Sequence, residues 1–325
     1  MKSFESINAG YNRVFQPSKL SLGLVVPIET YSTSPVPKMT DHLERVKLID
    51  QLGFRALWIR DIPFNVPTFG DAGQLFDPFT YLGFLSGQTH RIALGVSIIA
   101  LPLHHPLHVA KAAASIDQLS GGRMILGVAS GDRPQEYPAM NVAFEKRGEL
   151  FREAFDYIRN VQHSFPFFES DHYGTLHGQA DVLPKATGHK LPLMLTGSSR
   201  QTLEWNAKHA DGWMSYPRNT HQQAHTIDTY RSLVAEHCKF DKPFMQPLYL
   251  DLSPDDDFQP QPIHRGLKTG VNPLIDYLHQ LQEIGVNHVA FNLRFNTQPI
   301  TETLHKLADE VLPSFHKTHQ EVIAK

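Results

Sequence analysis

Along the chain, short apolar runs alternate with segments whose apolar residues recur every three or four positions. The first pattern marks buried strands and the second amphipathic helices. Residues 20–26 (LSLGLVV) are apolar and stop at Pro27. Asp41 is placed to cap a helix, with Glu44 three residues on. That helix carries Leu43, Val46, Ile49 and Leu52 on one face and ends at Gly53. Further strands are expected at 56–59, 92–101, 124–129, 191–196, 213–216, 244–252 and 288–293. Between and after them, helices are expected from Asp77-Pro78, from Pro106 to Ser120, and over 144–162, 200–209, 220–237, 271–284 and 299–315.

Eight strands, each followed by a helix, favour an α/β chain folded as one (β/α)8 TIM-type barrel over 20–325, preceded by an N-terminal arm, 1–19. Runs such as 92–101 are apolar on both faces, which suits parallel strands covered by helices. An open nucleotide-binding sheet would place a G-x-G-x-x-G turn after an early strand, but the first strand leads into Pro27-Ile28-Glu29-Thr30. Two stretches break the alternation. Residues 163–190 read as a hairpin-bearing insertion before strand five, and residues 253–270 as a long loop at the active face.

Composition narrows the partners. The chain has 325 residues and a formal net charge of -3, so nothing pulls it toward nucleic acid or anionic membrane, and a small-molecule substrate is the default. The single cysteine, Cys238, suits a reducing, cytoplasmic setting, and no run of about 18 apolar residues offers a membrane span.

In such a barrel the chemistry sits at the C-terminal ends of the strands. There, Gly197-Ser198-Ser199-Arg200-Gln201-Thr202 turns a strand into a helix with small residues, hydroxyls and a cation. A turn of this kind can bind phosphate through unpaired N–H groups, or its hydroxyls can simply cap the helix. Ser130-Gly131-Asp132-Arg133 is either a ligand loop or a plain turn. Asp61 is the candidate proton carrier or hydrogen-bond anchor, with an ion pair to Arg60 or Arg133 as the alternative. Asp132, Tyr216 and Arg218 are further polar groups for the mouth, and Ile28, Phe64, Phe69 and Phe291 could line it or belong to the core. The histidines in Leu103-His104-His105-Pro106-Leu107-His108 lie in one loop and lack His-Glu-x-x-His spacing, so no metal site is assigned.

The combination Leu101-Pro102-Leu103-His104-His105-Pro106, Asp117-Gln118-Leu119-Ser120-Gly121-Gly122-Arg123 and Leu126-Gly127-Val128-Ala129-Ser130-Gly131 resembles the luciferase-like flavin monooxygenases. Leu203-Glu204-Trp205 and His209-Ala210-Asp211-Gly212-Trp213 fit the same family. The resemblance implies a (β/α)8 barrel, FMN as cofactor with a deazaflavin as the alternative, and a homodimer fed by a flavin reductase or NAD(P)H. It implies that Ser199 and Thr202, with Gly197, Ser198 and Arg200, hold the flavin phosphate, and that Ser130 lies beside it where luciferases carry an arginine. It also implies a bulge behind the flavin ring at Ser97-Ile98, often with a non-proline cis peptide. The luciferase catalytic histidine is matched here by Ile62, so light emission and its proton transfer do not carry over. The expected activity is a flavin-dependent monooxygenase, with a deazaflavin hydride transferase and a non-catalytic flavin binder as alternatives.

Overall fold

The computed structural model describes residues 3–316; residues 1–2 of the expected arm and 317–325 of the expected barrel lie outside the described residues. Strands β1 (Ser21–Val25), β2 (Ala56–Arg60), β3 (Ala93–Ile98) and β4 (Met124–Val128) run parallel in order. The chain then leaves for an antiparallel hairpin, β5 (Phe167–Ser170) and β6 (Gly174–His177), as the insertion 163–190 suggested. It returns as β7 (Leu193–Thr196), β8 (Gly212–Met214) and β9 (Phe244–Leu252). A second hairpin, β10 (Gln261–Ile263) and β11 (Gly266–Thr269), follows before β12 (His288–Asn292) pairs with both β9 and β1 and closes the eight-stranded barrel. Helices α1 (Ala9–Val14), α2 (His42–Leu52), α3 (Pro78–Ser86), α4 (Pro106–Leu119), α5 (Glu136–Ala139), α6 (Arg147–Asn160), α7 (Leu203–His209), α8 (Thr220–His237), α9 (Val271–Glu283) and α10 (Ile300–Lys306) complete the chain. No described helix is long and apolar enough to cross a membrane.

Strand alternation sorts the core into two layers. Leu22, Leu24, Leu57, Leu94, Leu126, Leu193 and Phe291 face the helices. Val25, Ala56, Trp58, Ala93, Ile125, Met194, Met214, Met245 and Ala290 fill the barrel, and Ile7, Tyr11, Val14 and Phe15 of the arm pack against them. The arm therefore closes the N-terminal end. Asn8 fixes it there: its carbonyl oxygen accepts from the Tyr11 N–H, and its amide donates to Asp117 Oδ1 at 2.9 Å and to the Met124 carbonyl at 2.8 Å.

Trp58 and His288 set the interior. The Trp58 Nε1–H donates to His288 Nε2 at 2.9 Å, so the other ring nitrogen carries the proton and donates to Ser21 Oγ at 2.7 Å. Ser21 passes its own proton to the Val14 carbonyl of the arm. Glycine makes the room: a Cβ on Gly95 would lie 2.3 Å from the Trp58 ring, and one on Gly23 would lie 2.8 Å from His288 Nε2.

Several local expectations are corrected. Asp41 adopts left-handed backbone (φ 55°) and caps nothing; its carboxylate turns instead to Arg45 at 3.6 Å. The segment expected to be helical from residue 200 begins its helix at Leu203, because Ser199 and Arg200 both take positive φ. The loop 253–270 contains β10 and β11, and β11 extends the barrel sheet by pairing with Tyr249–Leu252. The α-helix expected over 299–315 gives way after Lys306 to a wider π turn, Leu307–Val311, and then a tight 3-10 turn, Leu312–Ser314.

Candidate functional site

The C-terminal ends of the strands converge on one mouth, and its two halves differ. On one side stand β3, β4 and β7. Strand β3 bulges at Ser97: Ile59 pairs with Val96 and Arg60 with Ile98, leaving Ser97 without a partner on β2. The bulge expected there is present, but its peptide is not cis; the cis bonds of the described residues are Val26-Pro27 and Leu183-Pro184. An extra residue already re-aims the chain, whereas a non-proline cis bond would cost a further ~3 kcal/mol. Gly127 of β4 lies beneath the bulge. A Cβ on it would sit 2.3 Å from the Val96 carbonyl oxygen and 2.5 Å from that of Ser97, so only glycine fits. Across that gap the Thr196 hydroxyl donates to the Ser97 carbonyl, tying β3 to β7.

The turn after β7 follows directly. Gly197 has φ +63° and faces open space, since a Cβ there would meet nothing within 4 Å. Among the described residues, the N–H groups of Ser198, Ser199 and Arg200 have no protein acceptor. The hydroxyls are used unequally. Ser199 is buried and donates to the Thr196 carbonyl at 2.9 Å. Thr202 accepts from the Trp205 N–H at 3.1 Å, which leaves its own proton to give away. Arg200 is exposed and makes no ion pair among the described residues, and its Cβ rests on Gly148 at the start of α6. Gln201 locks the turn by donating to the Gly148 carbonyl at 2.8 Å. Free N–H donors, a free hydroxyl proton and an unpaired cation around an open space fit an anionic cofactor tail.

Other expected site residues are placed as follows. Ser130 is buried beside this region, its carbonyl accepting from the Tyr137 hydroxyl. Asp132 is exposed, with no hydrogen bond or ion pair among the described residues. Asp61 is buried and bonded neither to Arg60 nor to Arg133; it holds His104 Nε2 at 2.6 Å and accepts from the Ala100 N–H at 3.3 Å. Burial alone would push the His104 imidazole down, but the hydrogen bond and charge of Asp61 outweigh it and raise its affinity for a proton. Arg218 folds back on Ser215, Gln223 and the Tyr216 carbonyl, and Tyr216 is exposed with Arg265 over its ring at 4.0 Å. Ile28 and Phe291 are both buried in the core cluster that the helices cover; one residue of strand register separates Phe291 from inward-facing Ala290. Phe64 and Phe69 are exposed on the connection between β2 and α3.

The opposite side of the mouth holds a cluster that sequence reasoning missed. Arg60, at the end of β2, reaches Asp71 Oδ2 at 2.8 Å, and Arg294, just past β12, approaches the same oxygen at 3.4 Å. The Tyr31 hydroxyl donates to Asp71 Oδ1 at 3.0 Å, and Arg133 donates to the Asp71 carbonyl at 3.2 Å. Burial disfavours the Asp71 charge, yet Arg60 and then Arg294 hold its carboxyl below the usual carboxylate range. The available signal was an arginine at the end of each of two neighbouring-barrel positions, β2 and the stretch after β12, flanking β1.

A cleft of about 350 Å³ lies at the other end of the barrel, among Arg159, Lys190, Asp211 and Lys242. Its buried carboxylate is neutralised within the cleft: Asp211 pairs with Arg159 at 2.6 Å and Lys190 at 2.8 Å. Chemistry in such barrels sits at the other end, so the mouth is the candidate site.

Comparison with known proteins agrees with this geometry. A profile of the luciferase-like monooxygenases matches residues 20–254. The alkanal monooxygenase beta chain of Photorhabdus luminescens is 33% identical over 118 residues, 36% of this chain and 35% of that one, so the match spans about a third of that relative. Two solved structures share the fold at low identity. An F420-dependent secondary alcohol dehydrogenase bound to an F420-acetone adduct has a TM-score of 0.74 at 17% identity, covering 92% of this chain and 100% of that one. The oxygenating constituent of 3,6-diketocamphane monooxygenase from Pseudomonas putida, in complex with FMN, has a TM-score of 0.70 at 14% identity, covering 92% and 99%. With the profile extending over more than half its length, and with the barrel and bulge in place, the chain belongs to the luciferase-like monooxygenase family.

Proposed function

We propose that this chain is a cytoplasmic flavin-dependent monooxygenase acting on a small organic substrate with reduced FMN and oxygen, supplied with electrons by a flavin reductase or NAD(P)H. The observation that carries the reading is the turn after β7, where three N–H groups without acceptors surround an open space beside an unpaired arginine. Ser198, Ser199, Arg200 and Thr202 would hold the phosphate, and the Ser97-Ile98 bulge would back the ring. Bound flavin supplies the redox chemistry; the protein supplies position, polarity and exclusion of water. Within the chain, the Asp61–His104 pair is an acid–base group tied to the bulge, since the Asp61 N–H donates to the Ile98 carbonyl at 3.1 Å and its carboxylate accepts from the Ala100 N–H. It can hold a proton on His104 Nε2 at pH values where an ordinary histidine has begun to lose it.

A deazaflavin is the second reading, favoured by the fold shared with the F420-dependent dehydrogenase. Titration with FMN, followed by quenching of flavin fluorescence, tests the first. Saturable binding weakened roughly tenfold by Thr202→Ala is expected, as one charge-assisted hydrogen bond is lost. Ser199→Ala should act more weakly, because that hydroxyl braces the turn. No saturable binding, or a double variant with unchanged affinity, refutes the assignment. Saturation by a deazaflavin and not FMN would select the alternative.

A further inference from the structure

We propose that Arg60 and Arg294 bind the oxyanion of an organic acid substrate, and that Asp71 occupies its place in the ligand-free protein. The proposal rests on the flavin reading of the same mouth for naming the occupant a substrate. The first observation is that two arginines share one carboxylate oxygen and keep donors unmet. Two guanidinium groups converge on one carboxylate oxygen, while Arg133, bonded to the Asp71 carbonyl, has Glu136 as its nearby counter-charge. Arg60 and Arg294 therefore share a single carboxylate in a largely buried cluster. The Nε–H groups of both Arg60 and Arg294 are also buried without an acceptor. Unmet guanidinium donors in a dehydrated site are costly, and an oxyanion that took the place of Asp71 and offered acceptors to them would satisfy them.

The second observation is where the parts are attached. Both arginines stand at strand ends, on the rigid barrel. Asp71 belongs to the long connection 61–77, which also exposes Phe64, Phe69, Leu75 and Phe76. Loops of that length in a compact barrel usually carry function. A carboxylate on a loop, docked between arginines on a scaffold, is replaceable, and the apolar side chains beside it suit the body of an amphipathic acid. The third is position. In strand order the cluster surrounds β1, and β7, which leads into the phosphate turn, lies directly across the barrel. A flavin tail anchored at the turn leaves the arginines for the second reactant.

The test uses FMN-saturated protein, so that the phosphate turn is filled, with sulfate as the first probe. Asp71→Asn should bind sulfate roughly tenfold more tightly than the wild type, read as a saturable rise in melting temperature, and Arg294→Gln in that background should abolish the gain. Wild-type protein should bind octanoate or octanesulfonate but not octanol or octanamide, and Arg294→Gln should remove the difference. If Asp71→Asn gains nothing and no acid is preferred while FMN still saturates, the inference is overturned and the flavin reading stands. Selective binding of NADH or NADPH, with no preference for the acids, would assign the arginines to the electron donor and equally overturn it. Failure of FMN to bind would remove the proposed function, and with it the identification of the occupant as substrate.

Discussion

The neutral histidine inside the barrel makes a quantitative demand on stability. His288 is fully buried between Trp58 and Ser21, and burial, with His316 adding a smaller repulsion, pushes its pKa down to about 3. Because the folded value is depressed, the stabilisation is present above the unfolded value of about 6.5 and is lost as pH falls toward the folded one. At pH 5 the unfolded chain binds this proton and the native barrel does not. The cost is 1.5 units at about 1.4 kcal/mol each, or roughly 2 kcal/mol relative to neutral pH. Any folded value below about 4 gives the same figure at pH 5, since the native site is then essentially unprotonated. Urea unfolding at pH 7.5 and 5.0 measures it, provided that the background of other groups is subtracted. His288→Gln keeps a neutral polar side chain and has no proton to gain. The wild type should lose roughly 2 kcal/mol more than this variant across the interval. Equal losses in the two proteins would show that His288 does not titrate between the states, and would refute the neutral Trp58–His288–Ser21 chain.

Two further perturbations probe the mouth. Asp61→Asn removes the main influence that raises His104 and leaves burial opposed by the weaker pull of Asp77, so the ring should titrate lower than in the wild type; NMR titration of the ring reads this directly, and an unmoved midpoint would contradict the pairing. In the wild type that pair stabilises the fold at acid pH, below the unfolded value, and the contribution fades as pH rises through the raised folded value. Gly127→Ala drives a methyl into the Val96 and Ser97 carbonyl oxygens, which are backbone atoms and cannot swing aside. A loss of ~3 kcal/mol or more in urea unfolding is expected, and a near-neutral effect would mean that the bulge lies elsewhere.

The barrel was legible because its strands are buried on both faces, so each appears as an apolar run whatever its neighbours do. The same property hid the direction of individual side chains: with no polar face to mark the alternation, Phe291 could be read as lining the mouth when it faces the helices. The turn proposed to hold the phosphate was marked by its glycine and hydroxyl content, but its shape was not. Ser199 and Arg200 adopt positive φ, which sequence propensity disfavours for both, and the tertiary contacts of Arg200 with Gly148 and of Gln201 with the Gly148 carbonyl hold them there. The cluster of Tyr31, Arg60, Asp71 and Arg294 has no spacing to recognise. Its members are separated by up to 263 positions and meet only because β12 returns to pair with β1.

The barrel interior and the mouth differ in how their hydrogen bonds are completed. In the interior Trp58 donates to His288, His288 to Ser21, and Ser21 to the arm. At the open end the N–H groups of Ser198, Ser199 and Arg200 and the Nε–H groups of Arg60 and Arg294 have none among the described residues. The arm completes the interior chain, while the turns at the mouth leave donors without protein acceptors on two opposite sides; at the closed end, unmet side-chain atoms remain on Tyr230, Arg231 and His316. Donors left unmet in ligand-free protein are tolerable only if the fold is secured elsewhere and something else satisfies them when bound. Two such sets across one mouth, one of backbone N–H groups and one of arginines, are what the proposed cofactor tail and the proposed acidic second reactant would each meet.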